Sequence, residues 1–337
     1  MSELYKRFLN LLLERIREQV PSNALLAQEL SEALDLNIDS AYRRIRGDTT
    51  FRADELIVIA QKYNISIDDL TGVAGQKAIP FFSSALNRGA IDFEDYLLQV
   101  LSVLKKARDR KVAQVLFAAK DIPVFHLFQF RELSLFKMFF WQRSIFHNPG
   151  TQNERFSLEI TSEKQERCLD LCRQIAEYYC QIPSQEIWME ETSFSFLKQI
   201  AYYHDADAFH SREDAIRLCE SAESLFSHLK AEAEGGYKFM HGRPVDNPRQ
   251  NFTLYLNELM LIDNVISLRY QEGSQTYLIY HNIEFISTEH TEFCNQAHQW
   301  IERIMSRSDL ISTHGERQRN QIFRRIQDRL DSLKQKI

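Results

Sequence analysis

The sequence predicts a mainly α fold: an N-terminal five-helix helix-turn-helix domain, followed by a larger helical domain that contains a small antiparallel β meander. Apolar residues recur at i, i+3 and i+4 spacing along most of the chain, which is typical of amphipathic helices. A tight corner separates the second and third predicted helices. Residues 251–281 are rich in β-branched and aromatic side chains, so the strands are expected there.

The composition limits the classes of protein to which the chain can belong. With 337 residues, 44% of them hydrophobic, it can bury the cores of two domains. Five cysteines, an odd number without disulfide-scaffold spacing, predict reduced thiols in a cytoplasmic protein. No apolar stretch approaches the roughly 20 residues of a membrane-spanning helix, and the charged N-terminus argues against a secretory signal.

The charge distribution indicates where nucleic acid could bind. The formal net charge of −6 argues against binding through bulk positive charge, so any DNA contact must be local. Positive charge is concentrated between residues 43 and 52, where four arginines accompany only Asp48.

The chain divides into two predicted domains. Residues 1–78 are assigned to the helix-turn-helix domain and residues 91–337 to a helical sensing and dimerisation domain, with its strands near 251–281. Two glycines and Pro80 in "LTGVAGQKAIP" interrupt the periodicity, so residues 79–90 are assigned to a linker.

Turn and cap residues define the helices of the first domain. The predicted helices cover residues 4–19, 24–34, 38–46, 53–63 and 66–70. Asp35 can adopt the left-handed conformation that the corner after the second helix needs, and Asn64 can do so after the fourth. Asn37 is the predicted N-cap of the third helix, and Gly47 ends it.

The third helix is predicted to have one buried face and one open face. Ile38, Ala41 and Ile45 form the buried stripe. The polar residues on or near the open face are Asp39, Ser40, Tyr42, Arg43, Arg44 and Arg46.

Residues 34–70, "LDLNIDSAYRRIRGDTTFRADELIVIAQKYNISIDDL", resemble the lambda-repressor-like (XRE-type) DNA-binding family and match its spacing without a gap. The sequence departs from the family pattern at four places. Asp35 and Asn64 replace frequent corner glycines, Ala27 replaces a phosphate-contacting polar residue, and Arg44 replaces a common aromatic residue.

The resemblance implies that the third helix enters the major groove of double-stranded DNA. It assigns Asp39, Tyr42 and Arg43 to base-facing positions, with Ser40 close to them, and Arg46 and Thr49 to backbone-contacting positions. Arg44 completes the predicted set. An arginine fork can bind O6 and N7 of guanine together. Each of two residues also has an alternative role that does not involve DNA. The Asp39 carboxylate interacts favourably with the positive N-terminal end of its own helix, and Arg43 is a solvated side chain on an exposed face. Family members usually bind as dimers, so a homodimer is expected, paired through the first helix or the C-terminal domain.

The aromatic segment, residues 121–146, is the densest apolar feature of the second domain: "DIPVFHLFQFRELSLFKMFFWQRSIF". It is interpreted as domain core, with a pocket for an unidentified apolar or aromatic effector or a dimer face as the alternatives. Together with "YLNELMLIDNVI" and the C-terminal stretches, the segment resembles bacterial one-component regulators that have a long C-terminal region.

Metal ligands could be built from a few side chains in the second domain, but these match no ligand motif. The candidates are Cys168, Cys172, His204, Asp205, Asp207 and His210. C-x-x-C, H-E-x-x-H, phosphate-binding glycine loops and G-x-S-x-G are absent from the sequence. We therefore expect no metal, no cofactor and no enzymatic activity.

Three functional hypotheses remain. The leading one is a sequence-specific transcriptional regulator of the one-component type. The second is an antitoxin-like or protein-interaction module whose helix-turn-helix autoregulates its own operon. The third is an enzyme tethered to DNA, against which the missing motifs argue.

Overall fold

The computed structural model describes residues 2–17, 20, 23–63, 65–71, 79–83, 92–111, 114–144, 154–246, 248–258, 264–271, 273–280 and 284–337. The chain divides into two compact units, Met1–Pro80 (unit 1) and Phe81–Ile337 (unit 2). Each unit is described by itself.

Unit 1 contains the five predicted helices. They are α1 (Glu3–Arg17), α2 (Asn23–Leu34), α3 (Ile38–Arg46), α4 (Ala53–Tyr63) and α5 (Ile67–Thr71). Their apolar faces meet in one core, in which Leu12, Ile16 and Leu30 are almost completely buried. The predicted corner is confirmed, because Asp35 has a φ of 50° between α2 and α3. Asn64, predicted to form the second tight turn, lies outside the described residues.

Unit 2 combines eight described helices with eight described strands. The helices are α6 (Phe93–Asp109), α7 (Val124–Leu127), α8 (Arg131–Ser144), α9 (Glu163–Gln181), α10 (Glu190–Asp205), α11 (Arg212–Gly235), α12 (Thr291–Met305) and α13 (Glu316–Lys336). The strands are β1 (Phe82–Ser83), β2 (Gln114–Ala119), β3 (Ser184–Trp188), β4 (Phe252–Leu256), β5 (Val265–Tyr270), β6 (Gly273–Tyr280), β7 (Glu284–Thr288) and β8 (Asp309–Leu310).

All eight strands belong to one mixed sheet, in the order β1-β7-β6-β5-β2-β3-β4-β8. The central strands β2, β3 and β4 are parallel, with Phe117, Glu186 and Leu254 side by side. The remaining pairs are antiparallel. Helices connect the parallel strands, as parallel pairing requires.

Both faces of this sheet are covered. One face packs into the main core of unit 2, together with residues of α6, α8, α9 and α11. The other face forms a smaller core, in which Leu116 and Ile187 pack near Ile301 of α12. Central strands buried on both faces are typical of α/β architectures.

The prediction of a mainly α fold with a small antiparallel meander is therefore wrong. The eight-stranded sheet makes the chain an α/β protein. Strands do occur within residues 251–281, but β4 pairs in parallel with β3 and is not part of a meander. The short apolar runs that form β2 and β3 have no period that distinguishes a buried strand from a buried helix segment, so the sequence pattern missed them.

Part of the predicted linker also belongs to the sheet. Within residues 79–90, Phe82 and Ser83 form β1 and pair with Ser287 and Ile286 of β7. Residues 84–90 lie outside the described residues.

The aromatic segment supplies much of the core of unit 2. Phe128, Phe130 and Phe136 are buried in it. Residues 145 and 146 lie outside the described residues. No described helix of either unit has both the length and the apolar composition needed to cross a membrane.

A buried polar network lies beneath the helices on the main-core face of the sheet. Glu186, which is fully buried on β3, accepts hydrogen bonds from Tyr179 Oη at 2.5 Å and from Trp188 Nε1 at 2.8 Å. His126 lies between two carboxylates: its Nε2 is 2.9 Å from Glu186 Oε1 and its Nδ1 is 3.4 Å from Glu232 Oε2. Because both ring nitrogens face carboxylate oxygens, the geometry favours the doubly protonated imidazolium.

Lys238 adds a second cation to this network. Its Nζ donates to Ile182 O and to Ser184 Oγ, both at 2.6 Å, and lies 3.9 Å from the centre of the Tyr179 ring. The two carboxylates of the network are therefore matched by two cationic groups, as buried charges require.

Candidate nucleic-acid interface

The residues that flank α3 define where this helix begins and ends. The Asn37 side chain accepts a hydrogen bond from the Ser40 backbone N–H at 2.8 Å, which confirms the predicted N-cap. Gly47 has a φ of 79°, and its N–H donates to Arg44 O at 3.0 Å. Residues other than glycine rarely adopt a positive φ, so glycine is suited to end the helix there.

The open face of α3 presents three of the predicted site residues to solvent. Asp39 and Arg43 are exposed, and Tyr42 is 40% exposed. Ser40 is half-buried. Acidic, aromatic and basic side chains thus lie side by side on one short surface of a helix that could fit the major groove, which is about 12 Å wide.

The last residue of α3 and the loop after it carry the predicted backbone contacts. Thr49 and Arg46 are exposed, and the Thr49 N–H donates to Arg43 O at 3.2 Å, which holds the loop against the end of the helix. Arg46 Nε lies 2.9 Å from Asp48 Oδ2 in an exposed ion pair. Such a pair adds little stability, so Arg46 can exchange Asp48 for a phosphate at small cost.

Arg44 does not lie on the open face, so that prediction is wrong. It is buried, and its Nε and Nη2 donate to the two carboxylate oxygens of Glu55 on α4, at 2.8 and 2.6 Å. Glu55 also accepts from the Arg52 N–H at 2.9 Å. The hydrogen bond from Arg44 is the main cause that lowers the pKa of Glu55 below its usual value. Arg44 therefore joins α3 to α4, and the helical pattern of α3 alone gave no sign of this partner.

One further expectation about this surface is corrected by the structure, and Ala27 can also be placed. Ile38 was predicted to be buried but is 44% exposed, because it is the first residue of α3 and lies at the end of the stripe through Ala41 and Ile45. Ala27, at the position that the resemblance gives to a phosphate contact, is completely buried in α2.

The candidate metal ligands of unit 2 belong to different segments of the chain and lie in different environments. Cys168 and Cys172 are buried side chains of α9, and burial raises the pKa of the Cys168 thiol to about 11. His204 Nδ1 lies 3.5 Å from Asp205 Oδ1 at the end of α10. Across the described part of the chain, no three or more His, Cys, Asp and Glu side chains are arranged to hold a metal ion.

The comparison with known families identifies the N-terminal part of the chain. Residues 8–101 match the model of the BetR domain, a helix-turn-helix-like DNA-binding domain. The match covers α1 to α5 from Phe8 onward and extends to Leu101 in α6. No curated protein and no solved structure matches the chain. The match supports a DNA-binding regulatory role.

Proposed function

We propose that the protein is a sequence-specific transcriptional regulator of the lambda-repressor-like type, which inserts α3 into the major groove of operator DNA. The exposed Arg43 on a helix capped at both ends, directly after a left-handed corner, is the observation that carries the proposal. The match of residues 8–101 to the BetR domain supports it independently. Enzymatic activity is not part of the proposal.

The side chains around α3 are given different roles. Arg43 reads a guanine through O6 and N7, and Tyr42 and Asp39 contact neighbouring bases with Ser40 beside them. The residues assigned to the DNA backbone are Arg46 and Thr49. Arg44 acts indirectly, because its pair with Glu55 holds α3 in place.

The proposed regulator binds as a homodimer. One α3 helix contacts only a few base pairs, and two copies separated by one turn of DNA would double the contact area. Unit 1 also exposes apolar side chains outside α3, which a second copy could cover: Leu4 is 74% exposed and Ile57 is 53% exposed.

The proposal is tested by comparing Arg43→Ala with the wild-type chain. The operator is first found by genomic footprinting, and affinity for this operator and for a scrambled duplex is then measured by fluorescence anisotropy at one fixed salt concentration. Loss of a bidentate base contact should weaken operator binding by about 1–3 kcal/mol and relax the preference at one base pair.

Arg317→Ala is the matched control, because it removes the same charge from an exposed position of α13, outside unit 1. This variant should keep the wild-type preference for the operator. Equal affinity of the wild-type chain for operator and scrambled DNA would refute sequence-specific recognition, and an asymmetric single half-site footprint would refute the homodimer.

A further inference from the structure

A cavity of about 360 Å³ lies in unit 2 between α6, α8 and the sheet. Its lining includes Val103 and Ala107 of α6, Trp141 of α8, and Leu268 and Tyr277 of the sheet. Protein interiors normally contain few spaces larger than a water molecule. A cavity of this size falls instead within the range of small-molecule binding sites.

The walls of the cavity are mainly apolar and aromatic. The rings include Phe117, Phe125, Phe140, Trp141 and Phe285. Such walls suit a ligand with an apolar body, because aromatic rings bury large areas and pack edge to face against other rings. Three charged side chains also line the cavity: Lys120, Asp121 and Lys137.

Lys137 is the distinctive polar group of the cavity. It is 8% exposed, and its Nζ donates to Gln199 Oε1 at 2.8 Å. The Nζ lies 5.3 Å from the centres of the Phe140 and Phe196 rings and 6.0 Å from that of Trp141. Among the residues that the structure describes, no carboxylate oxygen lies within 4.0 Å of this Nζ.

A buried ammonium without a carboxylate partner is costly, because it loses its hydration shell without full compensation. It has three N–H donors, of which Gln199 takes one. Burial lowers the pKa of Lys137 to about 8, although Asp121 opposes the shift, so the side chain stays mostly protonated at neutral pH. The cavity thus contains a buried ammonium that no described carboxylate contacts, within mainly apolar walls.

We propose that this cavity binds a small monocarboxylate, whose apolar body packs against the aromatic walls and whose carboxylate pairs with Lys137. The Gln199 amide nitrogen supplies further N–H donors for a second carboxylate oxygen. One ammonium and one amide suit a singly charged carboxylate better than a phosphate, which favours arginine forks or several backbone N–H groups. A role of this ligand in controlling DNA binding rests on the proposed function. Binding of the carboxylate in the cavity does not.

Binding is tested by isothermal titration of the full chain, without DNA, with 2-naphthylacetate and decanoate. Each acid is compared with its neutral primary amide. At least one acid should bind at one equivalent and about tenfold or more tightly than its amide, since a hydrogen bond to a charged group contributes that much. Absence of binding by both acids, or equal binding of acid and amide, would overturn the proposal.

Three variants locate the site. Lys137→Met should lose the preference for the acid while still binding the amide, and Val103→Trp should block acid and amide together by filling the cavity. Lys198→Met, at an exposed position of α10, is the charge-matched control and should bind like the wild type. Lys137→Met should be at least as stable as the wild type, because it replaces a buried charge with an apolar side chain of similar length. Thermal unfolding of the variant checks that it is folded.

Retention of the acid preference in Lys137→Met would contradict the assignment of Lys137. The titrations contain no DNA, so their failure leaves the Arg43 comparison unaffected. A failure of operator recognition would likewise leave the titrations interpretable. The two proposals can therefore fail separately.

Discussion

At the scale of single residues, the Arg44–Glu55 pair shows how a basic side chain on a candidate DNA-reading helix can serve the fold. Arg44 and Arg43 are neighbours in the sequence, but Arg44 is buried against α4 and Arg43 is exposed. The buried pair uses both carboxylate oxygens, a geometry that arginine provides and lysine does not.

We expect Arg44→Met to destabilise the packing of α3 on α4 by about 3 kcal/mol, because Glu55 would remain buried without its partner. Hydrogen–deuterium exchange of the α3 and α4 amides measures the change. Arg46→Met, which breaks an exposed pair, should shift exchange by less than about 0.5 kcal/mol. The double variant Arg44→Met with Glu55→Leu should recover much of the loss, and no recovery would indicate that the pair contributes more than charge compensation.

At the scale of one element, α3 depends on its caps, because nine residues form too short a helix to be stable alone. Asn37→Ala should cost about 1 kcal/mol by removing the acceptor of the Ser40 N–H. The exchange of that amide should become about fivefold faster in the variant. Asn37→Asp keeps an acceptor and should stay close to the wild type. Unchanged exchange at Ser40 in Asn37→Ala would show that the cap is energetically unimportant.

At the scale of the whole molecule, the buried network makes the stability of unit 2 depend on pH. Burial alone would lower the pKa of His126, but the attraction and hydrogen bond of Glu186, with a contribution from Glu232, raise it to about 9. The stabilisation is fully present below the unfolded pKa of 6.5 and is lost as pH rises toward 9. Glu232 acts oppositely: with its pKa lowered to about 2, its contribution is present above 4.5 and is lost at lower pH.

The free energy of unfolding of unit 2 should therefore fall by up to about 2 kcal/mol between pH 6.5 and 8. Above pH 8 the deprotonation of Lys137 and Lys238, whose pKa values burial lowers to about 8, relieves their burial cost and offsets part of the decline. Tryptophan fluorescence follows this unit, since Trp141, Trp188 and Trp300 all belong to it. His126→Gln should be less stable and should lose the decline. A wild-type chain with constant stability over this range would contradict the charged state of His126.

Sequence reasoning was sufficient for the parts of this protein that depend on neighbouring residues. The five helices of unit 1, the corner at Asp35 and the caps at Asn37 and Gly47 follow from backbone preferences and hydrogen bonds that span a few residues. Helices α12 and α13 likewise carry apolar residues at helical spacing within a single segment.

The contacts between residues that are distant in the sequence became visible only in the folded chain. The parallel pairs of β2, β3 and β4 join segments separated by long helical connections, so no local pattern could show that they form one sheet. The burial of Arg44, the hydrogen bond of Lys137 to Gln199 and the carboxylates on either side of His126 likewise depend on partners contributed by other elements. The energy of a buried charge is set by such partners, and periodicity along the chain carries no information about them.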